Sequence, residues 1–452
     1  MWSVIKRRRP ARPFRGVCTA FALESAAAAP HTARVKKSHL YGSGFSAGLV
    51  CLLSLAAPLP GAENWPAWRG PRGDGTSTEK GFPTQWSGTQ NVVWKKPLPG
   101  EGHSSPILWG ERIFLTTALK ETQERVLLCL DRKTGAIRWR QVVLQSPLEA
   151  KNNENSYASA TPACDGEKVY ATFQDREEAV AAAYDLEGRR QWLVRPGQFK
   201  SQWGFSHTPL LFEDKVIFSC YSKGENFVAA LNQVDGRTAW KTPCANGSQS
   251  YSPPLIREMD GRAQVIVPGN QAVTSFDPRT GKVLWFVDGL ASDAVIAPVY
   301  NAQADLVLAC TSWPAKVLLA IKPDGQGNVT QTKVAWKSPD GAPYVPSPVA
   351  VGDWFFTSSF NGRSAYCFEA ASGKVLWKEP MGLHHASPVA ADGLLYFLND
   401  DGVTHVVRAG PKYELVSRNE LGEKTYASMA LSGGQIFLRS FSHLYCIGHP
   451  DR

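Results

Sequence analysis

Residues 276–285 read FDPRTGKVLW. Asp277, Pro278 and Gly281 make a turn: Pro fixes φ, the Asp side chain bonds backbone two residues on, and Gly tolerates positive φ. Apolar residues flank it on both sides, so the unit is a β-hairpin with a four- or five-residue loop, followed by Trp285. Four further stretches repeat it: LDRKTGAIRW ending at Trp139, YDLEGRRQW at Trp192, LNQVDGRTAW at Trp240 and FEAASGKVLW at Trp377. Each places Gly four residues before Trp. A longer-looped copy ends at Trp336, and RAGPKYEL puts Leu415 where Trp is expected. Successive positions are 53, 48, 45, 51, 41 and 38 residues apart. A period in this range, made of strands and tight turns, is that of propeller blades.

The rest of each blade follows. Eight strands open on a small residue followed by Pro or Met, at Pro106, Pro162, Pro209, Pro254, Pro298, Pro348, Pro388 and Met429. Each leads into a β-branched or aromatic run such as KVYATF or KVIFSC. Seven blades are complete in chain order, and the eighth has three strands. An unpaired strand around Trp94, 45 residues before Trp139, supplies its fourth and covers an edge that would otherwise invite aggregation. The fold expected is all-β, an eight-bladed β-propeller of four-stranded antiparallel blades over residues 91–452.

Two segments precede it. Within residues 1–62, Lys36 and Lys37 lead into FSAGLVCLLSLAAPLPGA, whose small residues near Ala57 and Ala62 suit cleavage of an export signal. The expected location is the periplasm or cell envelope; the alternative is an uncleaved segment that keeps the chain at the membrane. Residues 63–90, rich in Trp, Gly and Pro, are expected to form an irregular strap against the first and last blades, with a ligand role for Arg69 and Asp74 as the weaker reading. Nine of the 49 Lys and Arg, but one of the 40 Asp and Glu, fall in residues 1–62, so the net charge of +9 drops to +1 for the remainder. No nucleic-acid footprint is supported.

The repeat A-x-D-x-x-T-G-x-x-x-W resembles that of the pyrroloquinoline quinone (PQQ) type propellers, shared by quinoprotein dehydrogenases and BamB-like outer-membrane assembly factors. The resemblance implies that Trp94, Trp139, Trp192, Trp240, Trp285, Trp336 and Trp377 are buried docking residues between blades. Quinoprotein dehydrogenases also carry an adjacent-cysteine pair, a Glu and Asn set for calcium and a catalytic Asp. Here no two cysteines are adjacent, no calcium set aligns, and Asp293 is the one matching carboxylate. Cys129, Cys164, Cys220, Cys244, Cys310, Cys367 and Cys446 read as small buried residues. No metal site or cofactor is expected, PQQ with calcium being the alternative.

Function therefore belongs on the face of the blade crossings and second-to-third strand turns, where loops vary on a rigid scaffold. The positions just before each opening Pro give His103, Tyr157, Trp203, Phe205, His207, Tyr251, Asp293, Tyr344, His384, His385 and Tyr426 as a central funnel. Aromatic anchors with a few polar groups suit a small-molecule pocket or a peptide hot spot; a channel plug is the competing reading. The expected activity is that of a monomeric, non-catalytic scaffold for envelope proteins or peptides. The alternative is a quinone-dependent oxidoreductase acting on an alcohol or sugar.

Overall fold

The computed structural model describes residues 63–245 and 249–449. The expected export signal lies outside them. Eight four-stranded antiparallel sheets form a ring. Blade 1 shows the pattern, with strands Ile107–Trp109, Arg112–Leu119, Glu124–Asp131 and Ile137–Gln145 running outward from the axis. Blades 2 to 7 span 163–198, 210–243, 255–288, 299–338, 349–380 and 389–420, and blade 8 holds three strands within 430–447. Its outer place is filled by Val92–Pro97, which pairs antiparallel with His443–Ile447, Trp94 facing Cys446. The two middle strands of each blade are covered on both faces by neighbouring blades, hence their unbroken apolar runs, as in Val126–Leu130.

The joints between blades explain the repeat. The indole Nε1 of each docking tryptophan donates to a backbone carbonyl in the outer hairpin turn of the next blade: Trp94 to Arg132, Trp139 to Leu186, Trp192 to Gln233, Trp240 to Pro278, Trp336 to Ala370 and Trp377 to Gly410, all at 2.8–3.0 Å. In five of these six joints, all but that of Trp377, the turn glycine lies beneath that same ring. A Cβ on Gly281 would stand 2.4 Å from Trp240 and one on Gly135 2.6 Å from Trp94. The glycine is therefore required twice, by its positive φ and by the indole on it. A one-residue register shift precedes the docking position in all eight outer strands, a bulge that turns the side chain toward the next blade.

Five joints depart from expectation. Trp139, Trp240 and Trp336 are half-buried, whereas Trp94, Trp192 and Trp377 at the same place in other blades are buried. Trp285 is fully buried but bonds Gln264 Oε1 of its own blade at 2.8 Å, and the Gln264 amide donates to Pro323 O at 2.7 Å. Pro323 holds the place of Pro278 in a longer turn, so the glutamine bridges a gap the indole cannot span. In blade 7 the register puts Ser417, not Leu415, opposite the position that Trp occupies elsewhere, and Leu415 is exposed. Trp86 of the strap fills that joint, buried and stacked on Tyr396 with its backbone N–H on Asn419 Oδ1.

The strap does more than flank the first and last blades. Trp65 bridges to Leu108 of blade 1, and the chain then crosses the channel end beside the first-to-second strand turns. Arg69, buried, donates to the carbonyls of Pro348 and Pro388, which begin the inner strands of blades 6 and 7. Asp74 pairs with Arg257 of blade 4, and Thr76–Ser77 adds a parallel strand to blade 7. Arg69 and Asp74 are thus consumed by structure, which removes the ligand reading for them.

At the axis, the small residue before each opening Pro or Met proves to be a linker. Ser105 N–H donates to Thr161 Oγ1, Thr161 N–H to Thr208 Oγ1, Ala297 N–H to Ser347 Oγ, Ser347 N–H to Ser387 Oγ, Ser387 N–H to Ser428 Oγ and Ser428 N–H to Ser105 Oγ, at 2.8–3.2 Å. The belt is interrupted where the equivalent residue is Pro253, with neither hydroxyl nor N–H, and Ala297, with no hydroxyl.

Gly281 and Gly261 both have φ near +70°, but a Cβ at Gly261 would meet nothing within 4 Å. Both Gly→Ala variants should lose about 1 kcal/mol from backbone strain. Gly281→Ala should lose about 1–3 kcal/mol more from overpacking against Trp240. Urea denaturation of the two variants measures the difference directly.

Candidate functional site

The crossings and second-to-third strand turns converge at the end of the channel away from the strap. They enclose a cavity of about 560 Å³. A narrower space of about 130 Å³ continues toward the hydroxyl belt and is lined by Ser105, Thr161, Thr208, Ser387 and Ser428, with Trp68 of the strap also on its wall.

Seven of the residues read from the sequence stand in the wall of the larger cavity: His103, Trp203, Tyr251, Asp293, Tyr344, His385 and Tyr426. One side is a run of rings. Tyr344 leads to Phe360, Phe360 lies edge-on to His385 at 4.8 Å between centroids, and His385 stacks on Tyr426 at 3.8 Å. Tyr426 in turn meets His103 at 5.0 Å. Asp400 fixes the centre of this run. Its two carboxylate oxygens take the His385 backbone N–H and ring Nδ1, both at 2.8 Å. An ionised Asp400 selects the tautomer with hydrogen on Nδ1 and leaves Nε2 as an acceptor. Asp400 lies in the second-to-third strand turn of blade 7, and that turn is what brings it to His385.

The other side holds Trp203, Tyr251, Asp293 and Trp313. Tyr251 Oη shares a hydrogen bond with Ser201 Oγ at 2.6 Å and donates to Gln249 Oε1 at 2.8 Å. Burial pushes the Asp293 carboxyl above the ordinary carboxylate range. Burial also raises the phenols of Tyr251 and Tyr344, and the nearby Asp293 charge adds to both shifts. His103 is held neutral: burial, with Arg439, His385 and Lys151 nearby, brings its pKa down to about 3.

Four residues of the expected funnel lie elsewhere. Tyr157 packs against the Arg125 and Lys151 side chains. Phe205 and His207 turn into the core of blades 2 and 3 with Phe199. His384 is fully buried, with Nδ1 3.0 Å from Gly382 O. These crossings are irregular backbone, so distance in sequence from the opening Pro does not fix which way a side chain faces. Residues that reading missed include Asn152, Glu154 and Asn155 from the first long crossing, and Trp313 and Asn361 from second-to-third strand turns. The signal for Trp313 was available, since its turn belongs to the same face.

No group of three or more His, Cys, Asp or Glu side chains poised for a metal occurs among the described residues. The seven cysteines there are free thiols, buried except for the half-buried Cys244. Burial drives the Cys129 and Cys446 pKa values up to about 12, so these thiols are not nucleophiles at neutral pH.

His207 offers a pH test. Neither ring nitrogen has a hydrogen-bond partner, and burial lowers its pKa to about 3. The unfolded chain, with an ordinary imidazole, takes up a proton near pH 6.5 that the folded state refuses. Stability is therefore lost as pH falls through the unfolded value and levels off only near pH 3. From pH 7 to pH 5 this one residue should remove about 2 kcal/mol. His207→Phe should fold normally at pH 7 and show a correspondingly shallower loss of stability at pH 5, read by thermal or urea unfolding at both pH values.

The family model described as "Outer membrane protein assembly factor BamB" matches residues 83–192 and 176–411. Among solved structures, the chain is similar to BamB from Moraxella catarrhalis, at 16% identity and TM-score 0.58 over 80% of this chain and 98% of that one. A europium-containing methanol dehydrogenase matches at 10% identity and TM-score 0.52, covering 84% of this chain and 90% of that one. The quinohemoprotein alcohol dehydrogenase from Comamonas testosteroni matches at 13% identity and TM-score 0.51, covering 86% and 81%. At these identities the likeness is one of fold. No curated protein sequence matches the chain. With eight blades in a ring, six of their joints made by a tryptophan on the next blade's turn, and a family match running across most of that ring, the chain belongs to the BamB-like family of PQQ-repeat propellers.

Proposed function

We propose that this chain is a non-catalytic, exported scaffold of the cell envelope that docks other proteins or peptides on its funnel face. The observation that carries this reading is the mouth of the cavity. Trp203, Trp313 and Phe441 are 42, 58 and 43% exposed there, on irregular loops of one face. Large aromatic side chains left in water on loops held by a rigid scaffold are the composition of a protein-binding hot spot. BamB, by its family description an assembly factor, has the same architecture.

The residues present do not fit a quinone with its calcium ion. The cavity wall offers two carboxylates, Glu154 and Asp293, in place of a clustered ligand set. The narrower space below is walled by serine and threonine hydroxyls already bonded to backbone, and Trp68 lies against it. No platform of paired cysteines is present in the chain. The dehydrogenase alternative accordingly has less support than the scaffold.

Photo-crosslinking in intact cells tests the proposal. p-Benzoylphenylalanine in place of Trp313 should give discrete adducts with envelope proteins, whereas the same residue in place of Val234, which is 77% exposed on a third-to-fourth strand turn, should give none. Equal labelling from both sites, or none from position 313, overturns the docking reading. Dye reduction by purified protein supplied with PQQ and calcium would establish the dehydrogenase instead.

A further inference from the structure

The same cavity has a charge character that its aromatic rim does not explain. Its two carboxylates, Asp293 and Glu154, have no salt-bridge partner among the described residues. The buried acids nearby are spoken for: Glu149 by Arg125, and Asp400 by His385. No Lys or Arg lines this cavity. Of the two lysines of the adjoining space, Lys120 pairs with Glu101, and Lys151 places its ammonium over the Tyr157 ring at 5.0 Å and donates to Asn152 O. Arg439 is buried behind His103, its Nη1 donating to Ser104 O, Ser104 Oγ and Thr116 O. The cationic residues thus gather on the His103 side, and the unpaired carboxylate Asp293 sits opposite with Tyr251 and Tyr344.

A second observation comes from His385. Its side chain is 9% exposed, Nδ1 is spent on Asp400, and the ring lines the cavity with Nε2 unpartnered. In the neutral ring with hydrogen on Nδ1, that nitrogen is an acceptor. Carboxylates, an acceptor imidazole and the faces of Tyr251, Tyr344 and Trp313 share one preference. Each favours a positively charged, hydrogen-donating group: the carboxylates by charge, Nε2 by its lone pair and the rings by their negative faces.

We propose that the cavity is a seat for a cationic nitrogen group, an ammonium or guanidinium, and that the docking partner delivers it as a Lys or Arg side chain. This rests on the scaffold reading above and names the partner's chemistry at the same site. A volume of about 560 Å³ accepts such a side chain together with some of the chain that bears it. The Asp293 carboxylate is the principal contact, with Glu154 closing from the long first crossing.

The test uses the intrinsic fluorescence of the cavity tryptophans and calorimetry on the purified protein. Three capped tripeptides, Gly-Arg-Gly, Gly-Gln-Gly and Gly-Glu-Gly, are titrated alongside free agmatine. The Arg peptide should bind, the Gln and Glu peptides should bind at least about tenfold more weakly, and added salt should weaken the Arg complex. Asp293→Asn should cost the Arg peptide about tenfold or more, with circular dichroism and cooperative unfolding showing that the variant is folded. Equal affinity for the Gln peptide, or an unchanged Asp293→Asn, overturns the cation seat. Agmatine binding as tightly as the peptide would support the seat but assign it to a free amine rather than to a partner side chain. If position 313 still crosslinks partners while no peptide discriminates by charge, the scaffold stands and the cation seat alone fails. If the Arg peptide binds as expected and position 313 captures nothing, the seat stands and the scaffold reading fails.

Discussion

The architecture depends on one contact made six times directly and once through an intermediary, an indole N–H on the carbonyl of the next blade's turn, and in five of the joints the ring also lies over that turn's glycine. Each part constrains the others. The bulge aims the tryptophan, the tryptophan forbids a Cβ on the glycine, and the glycine permits the turn whose carbonyl the indole needs. Neighbouring sheets are thereby locked at a fixed angle at the outside of the ring. The hydroxyl belt does the same at the axis, where only small residues fit. A blade held at both ends leaves its crossings free to vary, and those crossings wall the cavity.

Much of the fold was legible because these joints are local. A hairpin, a glycine and a tryptophan within ten residues announce themselves, and counting them gave both the number of blades and the closing strand. What failed in the reading was what depends on partners distant in sequence. Leu415 aligned with the tryptophans by spacing, but register assigned the position to Ser417, and the aromatic came from Trp86 in the strap. The strap was read as a flank because nothing in its sequence says that Arg69 meets carbonyls of blades 6 and 7. The small residue before proline was seen eight times without its purpose, since the atom it accepts from belongs to another blade.

The site was legible to a lesser degree for the same reason. Seven of the residues read from the sequence line the cavity, but His384 and His385 are adjacent and only one looks into it. Asp400, which sets the hydrogen-bonding role of His385, comes from a turn whose direction no local pattern reveals. Asp293 was noticed as a match to a dehydrogenase carboxylate. Its surroundings in the cavity wall include two tyrosines, Tyr251 and Tyr344, and no Lys or Arg.

The closing strand has a temporal consequence. Val92–Pro97 is made among the first residues of the ring, yet its partner, His443–Ile447, is made among the last. Until the ribosome has finished, blade 8 does not exist and the ring remains an open arc with two raw ends. Pairing across so long a stretch of chain is slow, and unpaired strand ends invite misassembly meanwhile. A nascent chain of this design is therefore a client for whatever guards unfolded polypeptides, and it gains its full resistance to proteases in a single late step rather than blade by blade.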